Sequence, residues 1–276
     1  MSTESIIQSH TPSLLLAVAV QAARRAATHA LQQRERRQEA NLIARHDVKL
    51  ELDLECQQIA TDSILACFPG DAILGEEDIP GSDNQAAASA PDAARQWIVD
   101  PIDGTVNFFH GNSYWCCSIA VRQDGQTLAG CVYAPELDLL FEAAADQPAL
   151  CNGEPIRCSD TATLDVANIH TGADKSADPG SQPFRFFNRI ASLAQRARIF
   201  GAAALDICQV AAGTADAYFE PGIYLWDIAA ADLILQQAGG RGEVLRHFGG
   251  HRLAYLGSNG QLHAPLVEVL EPLFQN

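Results

Sequence analysis

The sequence predicts an α+β fold, and three observations carry the prediction. Residues 13 to about 40, rich in Ala, Leu, Gln and Arg, read as one helix. Strand-like runs follow at 113–122, 127–135 and 137–145, the first two joined at Asp124-Gly125, a strong hairpin signal. Beyond residue 150, strand-like and helix-like segments alternate. The first half (1–150) therefore reads as an antiparallel sheet with helices in front. The second (151–276) reads as an α/β half.

The elements follow in order. Pro12 and Ser13 are start signals for the first helix. Its apolar run, Leu14 to Val20, is too short to span a bilayer, lacks a basic flank before it, and is broken by Arg24 and Arg25. An amphipathic helix of a cytoplasmic protein is expected. Val48, Leu50, Leu52 and Leu54 alternate with Lys49, Glu51, Asp53 and Glu55, the period of a strand. A helix follows from about Ile59 to Phe68 and stops at Pro69-Gly70. Residues 71–78 form a short strand closing on acids, and 79–95, rich in Ala, Ser, Pro and Gly, a mobile surface loop. Asn152-Gly153 marks a second tight turn. Then come a strand at 166–172, a polar loop, a helix near 184–196, a strand at 197–201 and a helix at 202–213 ended by Gly213. A strand at 215–220, a helix at 225–240, two short strands and a helix at 264–274 complete the chain.

Composition narrows the function. Of 276 residues, 47% are apolar, enough for a sizeable core. A formal charge of -16 argues against nucleic acid and against an anionic membrane as partners. The eight cysteines form no CxxC pair, so zinc has no support and buried thiols in a reducing compartment are expected.

Acidic residues carry the chemistry. Glu76-Glu77, Asp100 and Asp103 sit where strands end, and Asp227 opens the helix at 225–240. Clustering such carboxylates without a cation costs several kcal/mol. Either they lie apart or something positive sits between them. Oxygen-only donors without His or Cys point to a hard cation, Mg²⁺ first and Mn²⁺ second. Pro101 fixes the turn between Asp100 and Asp103 so that it exposes carbonyl oxygen as a further ligand. Gly104-Thr105 then offers exposed N–H groups that suit an anion if a helix starts there. Metals beside a phosphate cradle suit phosphoryl transfer to water. On local sequence alone Asp227 is equally well a helix cap.

GEE at 75–77, DPIDGT at 100–105 and WDIAAADLILQQAGG at 226–240, in this order and spacing, resemble the inositol monophosphatase family over nearly the whole chain. The resemblance implies a layered αβαβα sandwich of the inositol monophosphatase / fructose-1,6-bisphosphatase type. It places one Mg²⁺ on Glu76, Asp100 and the Ile102 carbonyl, a second on Asp100, Asp103 and Asp227, and a third, weaker ion on Glu76 through water. Gly104 and Thr105 amides meet the phosphate. The Thr105 hydroxyl, with Glu76 and metal, orients and deprotonates the attacking water, and Asp53 supports that threonine. Glu220 contacts substrate hydroxyls, with Gly201 and Ala203 lining the same pocket. A homodimer and lithium sensitivity are implied as well.

The implied reaction is Mg-dependent hydrolysis of a small phosphorylated polyol or sugar, inositol 1-phosphate first. Val106-Asn107-Phe108 after DPIDGT supports that choice over a 3′-phosphoadenosine phosphatase. Fructose-1,6-bisphosphatase and histidinol-phosphatase activities, and a non-catalytic metal-binding scaffold, are the alternatives. The chain departs from the family at Lys49, where Thr is usual, and at Leu42, aligned with the lysine of the family's mobile loop. Ala202, Ala231 and Gln237 also differ from frequent family residues. None is a metal ligand, so the departures bear on substrate choice.

Overall fold

The computed structural model describes residues 11–43, 48–77, 95–172 and 184–274. Helix α1 (Pro12–Gln32) begins at its proline and buries Leu15, Val18, Ala19, Ala22, Ala26 and Ala30 along one face. It is shorter than the expected helix to about 40. A 3₁₀ turn (Arg34–Arg36) and strand β1 (Ala40–Ile43) follow. Arg36 clamps this turn by donating to Glu39 at 2.8 Å and to Glu55 at 2.8 Å.

Strand β2 (Val48–Leu50) pairs antiparallel with β1, and α2 (Glu51–Cys67) starts at once. The alternation across 48–55 therefore does not make a strand. Asp53 Oδ2 accepts the Leu50 N–H at 2.8 Å, so the third helical residue reaches back to the cap and starts the helix early. Leu52 and Asp53 are adjacent and both buried, which a one-faced strand cannot accommodate.

β3 (Ala72–Gly75), β4 (Gln96–Asp103), β5 (Cys116–Gln123), β6 (Gln126–Ala134), β7 (Leu139–Ala144), β8 (Leu150–Cys151) and β9 (Glu154–Pro155) form one sheet in chain order. Only the β3–β4 pair is parallel. A short helix α3 (Thr105–His110) bridges β4 and β5. Positive φ at Asp124 and Gly125 confirms the expected hairpin.

The second sheet collects β10 (Asn168–Thr171), β11 (Arg196–Arg198), β12 (Ala217–Tyr224), β13 (Arg241–Gly249) and β14 (Arg252–Ser258), in the order β11-β10-β12-β14-β13. Its last two strands, expected to be short, run nine and seven residues. Helices α4 (Arg185–Ala191), α5 (Ala203–Ala211), α6 (Leu225–Gln237) and α7 (His263–Leu270) complete the described chain. The 79–95 loop, apart from Arg95, and most of the polar loop before α4 lie outside the described residues.

The layers stack as expected, αβαβα. α1 and α2 bury Leu15, Leu52 and Ile64 against Trp97, Ile119 and Val121 of the first sheet. α5 and α6 lie between the sheets, packing Leu205, Ile207, Ile228 and Ile234 with Ile98, Val132, Tyr218 and Tyr255. α4 and α7 cover the far side, where Phe186, Ile190 and Leu266 meet Ile169, Phe219 and Leu256. No described helix is long and apolar enough to cross a membrane.

One close approach sets the height of α6. A Cβ on Gly130 of β6 would sit 2.8 Å from the Ala230 Cα. Gly130→Val is expected to push α6 outward and cost about 1–3 kcal/mol by overpacking. Thermal denaturation measures this, and the same variant should bind divalent metal more weakly because α6 carries Asp227.

Candidate active site

Two carboxylates three residues apart on a regular strand face opposite sides. The β4–β5 register removes that conflict. Asp100 pairs with Ser118 and Asp103 with Cys116, so β4 holds one residue more than its partner across this step. Pro101 occupies the irregular stretch, where no ladder N–H is required. Asp100 and Asp103 thereby join Asp227, with one carboxylate oxygen from each within 4.8 Å of the others.

Each acid is held by its own element. Asp100 Oδ1 accepts the Ile102 N–H at 3.1 Å, while its Oδ2 is buried and accepts no N–H or O–H. Asp103 accepts the Ala203 and Ala204 amides, at 3.1 and 2.7 Å, from the first turn of α5. Asp227, the third residue of α6, reaches back to accept the N–H of the N-cap residue Tyr224 at 2.8 Å and also belongs to the cluster. The cap and cluster readings are thus compatible. Glu76 follows β3, its amide bonded to the Val99 carbonyl at 3.1 Å, and lines the same cavity.

That cavity has a volume of about 230 Å³ and its wall includes Ile102, Gly104, Thr105, Gly201, Ala203 and Glu220. Six carboxylates line it (Glu76, Asp100, Asp103, Asp206, Glu220 and Asp227), and no Lys, Arg or His does among the described residues. Burial, then neighbouring acids, pushes Glu76 and Asp100 well above the usual carboxylate range. Asp103 is pushed up to about 8 by burial and then by Asp227, against the opposing pull of the two α5 amides. A hard divalent cation fits this donor set, which is oxygen-only, crowded with like charge and holds a buried Asp100 oxygen without a donor.

Gly104 (φ +90°) starts α3, and a Cβ there would lie 3.1 Å from both the Ala202 Cβ and the Tyr114 carbonyl. Thr105 Oγ1 donates to the Ile102 carbonyl at 2.9 Å. Asp53 is buried and spends one oxygen on the Leu50 amide, and the structure records Thr105 on Ile102 rather than on Asp53. Glu220 is buried and bonded to the Tyr218 hydroxyl. Ala203 lines the cavity, but its N–H is taken by Asp103. Lys49 lies 3.1 Å from both Glu77 oxygens, while Leu42 is exposed.

Sequence reading missed Asp206. It is buried in the cavity wall and accepts the Tyr114 hydroxyl at 2.8 Å, with His170 Nδ1 2.9 Å away. Burial raises Asp206, opposed by His170 and Tyr114. Its only local signal was an acid inside the apolar run AAALDICQVAAG.

A profile of the inositol monophosphatase family matches residues 12–271. A protein named Nus factor SuhB from Pasteurella multocida is 34% identical over 262 residues, 94% of each chain. The fructose-1,6-bisphosphatase/inositol-1-monophosphatase of Thermotoga maritima is 33% identical over 234 residues, 83% of this chain and 84% of that one. The inositol monophosphatase structure from Anabaena superposes with a TM-score of 0.78 at 28% identity, covering 94% of this chain and 96% of that one.

Proposed function

The chain belongs to the inositol monophosphatase family, and on that premise we propose that it is a Mg²⁺-dependent phosphatase of small phosphorylated polyols, inositol 1-phosphate first. The observation that carries this reading is the pocket whose charged groups are all carboxylates among the described residues, which repels a phosphate dianion unless cations intervene. Asp100, with Glu76 and the Ile102 carbonyl, would hold one ion. Asp100, Asp103 and Asp227 would hold a second, and Glu76 a third through water. Mn²⁺ should substitute. When bound, the ions supply the positive charge that phosphoryl transfer to water needs.

The chain's own groups do the rest. Gly104 and Thr105 amides face the phosphate. Thr105 Oγ1 donates its hydrogen bond to the Ile102 carbonyl, so its oxygen lone pairs are free to accept a hydrogen bond from the attacking water and aim it. Asp53 acts one step back, fixing the start of α2 beside Glu76. Glu220, buried next to Gly172 and Tyr218, accepts substrate hydroxyls, with Gly201 shaping that wall. The half at 1–150 thus supplies most metal ligands, and the half at 151–276 supplies Asp227 and the substrate side. We place this activity in a cytoplasmic homodimer with no nucleic-acid or membrane partner.

A panel of inositol 1-phosphate, fructose 1,6-bisphosphate, histidinol phosphate and 3′-phosphoadenosine phosphate tests the substrate. Inositol 1-phosphate should show the highest kcat/KM. The Thermotoga relative favours fructose 1,6-bisphosphate as the second reading, and a higher kcat/KM on it would replace the first. Lithium is expected to inhibit turnover by occupying a Mg²⁺ position. Unchanged turnover in high lithium would contradict that assignment.

A further inference from the structure

A second cavity, also about 230 Å³, lies between the 3₁₀ turn after α1 and the C-terminal end of α3. Arg34, Arg37, Gly111, Trp115 and Glu136 are among its lining residues. It is separate from the carboxylate pocket: the two share no lining residue. In a chain of formal charge -16, a cavity walled by two arginines is unlike its surroundings.

Two of its donors are unspent. Trp115 is fully buried, and its indole N–H has no acceptor among the described residues. Trp97, the other fully buried indole, donates to Asp71 Oδ2 at 2.9 Å. Arg37 Nε is also buried without an acceptor among the described residues. The Arg37 guanidinium is nevertheless held in place. Its Nη1 donates to the Arg34 carbonyl at 3.1 Å, and a Cβ on Gly111 (φ +77°) would lie 3.4 Å from Nε and 3.5 Å from Nη2. The Nη1 bond fixes one side of the fork, and the missing Cβ of Gly111 leaves room at the Nε–Nη2 edge, the pair that grips two oxygens of one anion. Arg34 stands more than half exposed, its nearest carboxylate being Glu35 at 4.0 Å. Glu136, the one acid in the lining, is exposed and makes no ion pair with either arginine among the described residues.

Buried donors without acceptors are costly, and two of them in one cavity wall call for a ligand that accepts hydrogen bonds. We propose that this cavity is an oxyanion-binding site, taking a carboxylate or a phosphoryl-type group on Arg37 Nε and Nη2 and Trp115 Nε1, with Arg34 at the rim. Loss of the arginine fork or of the indole N–H removes charge-assisted or buried hydrogen bonds, each expected to weaken binding about tenfold.

Indole N–H resonances test it on the whole 276-residue chain without metal. Sodium sulfate serves as the phosphoryl-type probe and sodium acetate as the carboxylate probe, with chloride at matched ionic strength as control. One of the three tryptophan signals should shift saturably, with a midpoint below about 50 mM, and it should be the signal that Trp115→Phe removes. Arg37→Gln, a partly exposed site that keeps the fold, should raise the midpoint about tenfold. Saturation by sulfate alone, by acetate alone or by both identifies the class of group while supporting the site. No saturable shift of that signal, or an unchanged midpoint in Arg37→Gln, would overturn the proposal.

Discussion

Asp100→Asn is expected to lower phosphate release from a monoester about 1,000-fold or more, while raising the stability of the metal-free protein. The two effects share one cause. Asp100 is buried, crowded by Glu76, Asp103 and Asp227, and its Oδ2 accepts no hydrogen bond. With metal present, its charge is the shared link in the proposed ligand set. Losing that link forfeits several kcal/mol of transition-state stabilisation, and about 4 kcal/mol corresponds to roughly 1,000-fold in rate. Without metal, ionising this group brings only repulsion and desolvation, so above its raised titration range a neutral amide of equal size should add about 1–3 kcal/mol to stability. Steady-state kinetics on a generic phosphate ester and thermal denaturation in chelator read the two sides. Equal phosphate release by both proteins would favour a contaminant or a scaffold role.

The second large effect is on pH. Burial first, and neighbouring acids second, hold Glu76 and Asp100 well above the usual carboxylate range and Asp103 at about 8. Such groups bind protons more tightly folded than unfolded. The stability they contribute is therefore complete below the unfolded carboxylate range and is lost as pH rises through the folded values. In chelator, the melting temperature should fall between about pH 5 and 8, each such group costing up to about 1.4 kcal/mol per pH unit. For a chain of this size that is about 2–4 °C per kcal/mol. Saturating Mg²⁺ should flatten the fall, because the ion replaces the protons. A chelated protein whose melting temperature rises across this window would contradict the assignment.

The acidic cluster was legible in the sequence because its members sit in short blocks whose residue types carry their chemistry. Asp100, Pro101 and Asp103 announce a strand that ends in oxygen donors, and the β-bulge explains why both acids can serve one cluster. The layered fold followed from resemblance, since periodicity alone gave the elements but not their stacking. What failed was local pattern without tertiary context. Lys49 to Glu55 alternated like a strand, yet a single carboxylate, Asp53, reached back to Leu50 and started a helix. The amides of α5 on Asp103 join residues about a hundred positions apart, as do Tyr114 and Asp206. No spacing rule announces such pairs. Their effect is to make the helix that lines the cavity also hold a candidate metal ligand.

The most direct test of the central claim is calorimetric titration of Mn²⁺ into the metal-free protein, repeated in buffers of different ionisation enthalpy. The carboxylate cluster predicts saturable binding accompanied by proton release at pH 7, with both diminished in Asp100→Asn. Heats that match dilution, or binding that Asp100→Asn leaves intact, would show that these acids are not gathered around a metal.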